Sequence, residues 1–100
     1  MRMTYSTAMV IQALDAGFRY GFDIAEATGL RGGTVYPILR RLREAGMVES
    51  QWEPVGLSRD EGRPPRKYYR LTEGAVEFLV RARQRFPLRA TGLGGQEEWG

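Results

Sequence analysis

Residues Thr4 to Ala16 have helical length and good helix formers, and Ala8, Met9, Val10, Ile11, Ala13 and Leu14 leave few polar positions among them. A helix that is apolar on nearly all sides is expected to be buried on nearly all sides. One small domain seldom supplies that much cover. Part of this helix, Met9 and Ile11 in particular, is therefore expected to face a second copy of the chain. The alternative is a central core helix within a monomer. Gly17 ends the helix.

With 42% hydrophobic and 27% charged residues, the chain suits one compact module with a single core. It contains neither cysteine nor histidine. Disulfides and thiolate metal sites are thereby excluded, and the usual general base, the commonest zinc ligand and the usual pH switch are missing. No metal or other cofactor is expected. Glu44, Glu49, Glu53, Asp60 and Glu61 offer no recognisable acid–base pair, and no phosphate-binding glycine loop precedes a helix, so an enzyme is the least favoured class. No apolar run approaches the roughly 20 residues of a membrane span, and Met1-Arg2-Met3-Thr4 does not lead into a signal-peptide core. A cytoplasmic protein without a membrane partner is expected.

The net charge of +3 says less than its distribution. Residues 1–30 hold two basic and three acidic groups, whereas residues 31–70 hold nine basic against five acidic ones. Positive charge concentrated in mid-chain is the footprint of a polyanion binder, although arginine-rich surfaces also serve solubility alone.

Local patterns place that charge. Tyr20 to Thr28 reads as a short second helix carrying Phe22, Ile24 and Ala25, closed by Gly29. After the tight link Leu30-Arg31-Gly32-Gly33, Thr34 is the expected N-cap of a third helix running to Ala45, with Pro37 in its first turn and Gly46 as its stop. At about 100° per residue, Val35, Ile38, Leu39 and Leu42 form one apolar stripe. Tyr36, Pro37, Arg40 and Glu44 project from the opposite side, flanked by Arg41 and Arg43. Helix, tight turn and helix describe a helix-turn-helix whose second member can present side chains to base edges and phosphates.

Met47 to Val55 and Arg66 to Leu71 have strand character, with Trp52 in the first and Tyr68 and Tyr69 in the second. Between them, Pro54 to Pro65 reads as the polar tip of a long hairpin. The tip ends in Gly62-Arg63-Pro64-Pro65-Arg66, a stiff loop presenting arginines. Beside a helix-turn-helix this is a wing, suited to phosphates or a minor groove. Strand alternation puts Tyr69 and Leu71 toward the core and Tyr68 outward. The expected fold is thus mainly α with a small β-hairpin: a winged helix-turn-helix over residues 1–71.

Thr72 is a plausible N-cap for a last helix, residues 72–87, stopped by Pro87. Ala75, Phe78, Leu79, Ala82 and Phe86 form its apolar stripe, bordered by Val76 and Val80. Phe78, Leu79, Ala82 and Phe86 are expected to pair with Met9 and Ile11 of a symmetry mate in a twofold dimer. Residues 88–100 are glycine-bearing and aperiodic, and a flexible tail is expected there, with Trp99 needing a partner to become ordered.

Three stretches carry a resemblance: Tyr20-Gly21-Phe22-Asp23-Ile24; Gly33 to Leu42 with the following Ala45-Gly46-Met47-Val48; and Gly62 to Thr72. Together they resemble the PadR family of transcriptional regulators, in the short form that has a single C-terminal helix after the winged helix. The resemblance implies a homodimer that binds an inverted-repeat operator in double-stranded DNA, often as a repressor released by a small molecule or another effector. It places Thr34, Tyr36, Pro37 and Arg40 on the recognition helix, where Arg41 flanks them, and Arg63, Arg66 and Lys67 on the wing, followed by Tyr68. Two other uses are compatible with such a fold. One is a protein-interaction module presenting Trp52 and the wing. The other is a small-molecule sensor with an aromatic cavity at the dimer seam, lined by Phe78, Phe86 or Trp99.

Overall fold

Helix α1 (Tyr5–Asp15) is the axis of the fold. It starts where Thr4 Oγ1 accepts the Thr7 N–H at 3.1 Å, and every residue from Thr7 to Leu14 is buried. The computed structural model describes residues 1–88. Along the chain follow α2 (Gly21–Thr28), α3 (Gly32–Glu44), β1 (Val48–Trp52), α4 (Val55–Asp60), β2 (Lys67–Leu71), a 3-10 turn (Glu73–Ala75) and α5 (Val76–Arg85). Helices α2, α3 and α5 and strand β2 all pack against α1.

That cover comes from within one chain, which corrects the expected dimer contacts. Met9, Ile11, Phe78, Leu79 and Ala82 are at most 8% exposed and belong to one core with Val35, Ile38, Leu39 and Leu42. They have almost no surface left to offer a second copy. The two surplus apolar stripes meet in cis, because α5 folds back along α1. Phe86 is half-buried, its ring edge-on to Tyr5 with centroids 5.8 Å apart. Buried Gln12 fastens the arrangement. Its Nε2 donates to the carbonyls of Phe86 (2.7 Å) and Ala8 (3.1 Å), and its Oε1 accepts the Leu88 N–H at 3.0 Å. Both ends of a buried amide are thus satisfied, and the backbone beyond α5 gains partners that the helix cannot supply. Arg83 pairs with Asp15 across the same seam.

Strands β1 and β2 are antiparallel, with Val48 opposite Leu71, Ser50 opposite Tyr69 and Trp52 opposite Lys67. Alternation works as expected: Tyr69 is 8% exposed and Leu71 packs against the core, whereas Tyr68 lies on the other face. A bridge from Tyr20 to Tyr68 and a Tyr69 N–H to Arg19 carbonyl bond of 2.8 Å lay the start of α2 beside β2. The wing is thereby tied to the helix-turn-helix. Thr72 does cap the next element, accepting the Gly74 N–H at 3.1 Å, but that element is the short 3-10 turn, and α5 itself begins at Val76.

Two further boundaries differ from expectation. The N-cap of α3 is Arg31, not Thr34, so Gly32 and Gly33 are helical and Pro37 falls in the second turn. Poor helix propensity makes the glycines read as a link, but packing against the preceding helix overrides it. Proline there removes the donor for the carbonyl of Gly33, an exposed residue that solvent can reach. Likewise the Pro54–Pro65 segment is not a plain hairpin tip, since it contains α4, and Gly62 closes that turn at φ 66°. The expected tail and Trp99 lie outside the described residues.

Candidate nucleic-acid interface

Helix α3 turns Val35, Ile38, Leu39 and Leu42 into the core, so geometry forces the intervening residues outward. Thr34, Tyr36, Arg40 and Arg41 are exposed and Pro37 is half-buried. Among the described residues Arg40 and Arg41 have no ion-pair partner, so their guanidinium groups are free to receive an acceptor from outside. Arg43, one turn on, reaches Ser50 Oγ at 3.4 Å instead.

Tyr36 is 49% exposed and lies beside Phe22, which is 67% exposed. Together with Ala25, Glu26, Gly29, Leu30 and Gly32 they line an open groove of about 410 Å³ on the side where α2 meets α3. An exposed phenylalanine is the anomaly of this surface.

The wing is organised around Glu53. Its side chain is 1% exposed, and both of its oxygens accept hydrogen bonds from Arg63, Oε2 from Nη2 at 3.1 Å. Oε1 also accepts the Arg66 N–H at 2.8 Å, while the Glu53 N–H donates to the Arg66 carbonyl at 2.9 Å. The Arg63 hydrogen bonds hold the Glu53 carboxyl below its ordinary range against the opposing effect of burial, and they raise Arg63 further above its own. Arg63 also donates to Glu61 at 2.7 Å. The carboxylate therefore crosslinks the two arms of the wing beyond the last strand pair.

Arg66 is freer. Its guanidinium stacks 4.3 Å from the centre of the Tyr20 ring, and Tyr20 meets Tyr68 edge-on at 6.2 Å. Lys67 Nζ lies 5.3 Å from the Trp52 ring, and Trp52 is 61% exposed. The anticipated wing residues thus separate into two kinds. Arg63 is an internal strut, whereas Arg66, 45% exposed and at the 3.9 Å edge of ion-pair distance from Glu53, and half-buried Lys67 are cations steadied on aromatic faces. Arg70, on the strand, pairs with Glu49 at 3.0 Å.

Sequence reasoning missed Glu53, Gly21 and Phe22. Tyr20, Gly21 and Phe22 stood in a recognised motif without assigned roles, and exposure of an aromatic at a helix start has no sequence signal. The strut from Glu53 to Arg63 joins residues too far apart for helix or strand spacing to pair them. Among the described residues no group of three acidic side chains could hold a metal ion, and no helix is long and apolar enough to cross a membrane.

Three packed helices, a two-stranded wing docked on them and an exposed basic face on the third helix define a winged helix-turn-helix protein. The chain belongs to the PadR-like family of transcriptional regulators, whose family model matches residues 10–79. Its fold is similar to that of a PadR family transcription regulator from Clostridium difficile R20291, with 24% identity over 97% of this chain and 100% of that one, TM-score 0.68. A PadR-like transcription factor from Bacteroides fragilis shares 28% identity over 78% of this chain and 76% of its own, TM-score 0.62. Lactococcus lactis ZitR, solved in complex with DNA, matches 99% of this chain with 61% of its own length at 18% identity and TM-score 0.63. A search of curated protein sequences returned no match. The expected family and fold are therefore borne out, and the family is one of regulators, not enzymes.

Proposed function

We propose that the protein is a cytoplasmic, sequence-specific repressor whose homodimer binds an inverted-repeat operator. The observation that carries this reading is the unpaired, exposed guanidinium of Arg40 on the outward face of α3, next to Tyr36. A guanidinium in that position suits a bidentate contact to guanine in the major groove, and Arg41 and Thr34 suit flanking phosphates. Arg66 and Lys67 supply charge to the backbone or minor groove, with Tyr68 beside them. Arg63 supports the wing from within. In a twofold pair the α3 helices enter successive major grooves about 34 Å apart.

The test is binding by the wild-type protein to duplexes it selects from a random library, compared with scrambled duplexes. Arg40→Ala is expected to lose about 1–3 kcal/mol on the selected duplex and little on the scrambled one. Lys67→Ala is expected to weaken both alike and to reduce the slope of log K against log salt by about 1. Equal losses for Arg40→Ala on the two duplexes would remove base reading from that residue.

For the pairing surface, α5 offers Val76 and Val80, 58% and 43% exposed and one turn apart, among the large apolar side chains that stay open. Two copies meeting along this stripe would bury both. Val80→Glu is expected to yield a monomer by sedimentation equilibrium, with the thermal transition preserved because the residue lies outside the core. A dimer of unchanged strength would place the interface elsewhere. A seam cavity using Phe78 has lost its support, since that ring is 4% exposed inside the core.

A further inference from the structure

Gly21 is the first residue of α2 and is buried. Nothing in its backbone calls for glycine, because the positive-φ glycines among the described residues are Gly17, Gly29, Gly46 and Gly62. Helix propensity disfavours it there. What the position lacks is room. A β-carbon at Gly21 would lie 2.3 Å from Tyr36 Cε1, 2.5 Å from Cζ and 2.6 Å from Oη, well inside contact distance. On the ring's other edge, a β-carbon at Gly32 would stand 3.5 Å from Cε2, an ordinary contact. The Tyr36 ring thus rests in the space left by the absent side chain of Gly21, at the start of one helix, while projecting from another. Half of its surface remains open.

We propose that Gly21 is a positioning residue for DNA recognition, the seat that fixes the direction in which α3 offers Tyr36 to base edges. The inference rests on the reading of α3 as the recognition helix. Any side chain at position 21 expels the ring from its seat, and the ring then swings into the space that a base pair must occupy. Tyr36 is a flexible side chain, so the expected loss falls on recognition and not on the fold.

A double-mutant cycle between Gly21→Ala and Tyr36→Ala tests this, using the selected and scrambled duplexes, with thermal denaturation alongside. Gly21→Ala is expected to lower discrimination between the duplexes about tenfold, the order of one base contact. In the Tyr36→Ala background the same substitution is expected to change discrimination less than about twofold, because no ring remains to be displaced. Additive losses, or a silent Gly21→Ala beside a damaging Tyr36→Ala, would overturn the seat while leaving Tyr36 as a reader. A silent Tyr36→Ala would instead overturn base reading by Tyr36, and the seat with it. If Gly21→Ala alone fails to fold, a folded double variant that matches Tyr36→Ala supports the steric account, and an unfolded one overturns it.

Discussion

Replacement of Ile11 by alanine is expected to destabilise the fold by about 2–5 kcal/mol, because a fully buried isoleucine is deleted from a close-packed core. In a domain of this size each kcal/mol lowers the melting temperature by roughly 4–8 °C, so the variant should melt at least 8–10 °C early. The informative part is the dependence on protein concentration. Ile11 is enclosed by its own chain, so the gap between variant and wild type should be the same in dilute and concentrated solution. A residue in an interface behaves otherwise, because its loss shifts association and the deficit changes with concentration. Melting curves at two concentrations a hundredfold apart provide the check, and a gap that widens on dilution would return Ile11 to the dimer seam.

Glu53→Gln is expected to loosen the wing without unfolding the helices. A neutral amide cannot take two charge-assisted bonds from Arg63, and the guanidinium would keep only the exposed Glu61 as counter-charge. Hydrogen–deuterium exchange should report a rise of roughly tenfold or more across residues 54–66, with α1 little changed. Affinity for DNA should fall on selected and scrambled duplexes alike, since Arg66 and Lys67 would no longer be held in place. The pH dependence has a definite sign. The Glu53 carboxyl titrates below its ordinary value of 4.5 in the fold, so the unfolded wing binds a proton first as acid is added. Its contribution is therefore complete above about pH 4.5 and is lost as the pH falls through the lowered value. Wild-type wing protection should decline in that acid range, and the wing of the Glu53→Gln variant, with no carboxylate there to protonate, should not follow it. Parallel acid profiles would mean that another group holds the wing.

These residues also show what the sequence could and could not carry. The composition of α1 demanded enclosure and obtained it, but composition holds no information about which chain provides the cover. The two faces of α3 were legible because a period of 3.6 sorts Val35, Ile38, Leu39 and Leu42 from Tyr36 and Arg40 by angle alone. Alternation likewise sorted Tyr69 from Tyr68. The start of α3 was misplaced, since two glycines outweigh a good cap only in isolation. Helix α4 was missed because six residues are too few for a periodic signal. Arg63 looked like its neighbours Arg66 and Lys67 in the sequence. What separates them is the geometry at buried Glu53, which takes hydrogen bonds on both oxygens from the Arg63 guanidinium but lies 3.9 Å from that of Arg66.

Gln12 ties the end of α5 to the helix on which α3 also packs. On the dimer reading, the helix that would pair and the helix that would read DNA therefore pack on one shared core helix. A single added base pair between half-sites would turn one of them by about 34° relative to the other. To follow that rotation, α5 and α3 would have to shift on the helix they share. On the same reading, operator spacing would be enforced from inside each subunit, by an amide buried away from the reading face, and the dimer would work as a ruler as well as a reader.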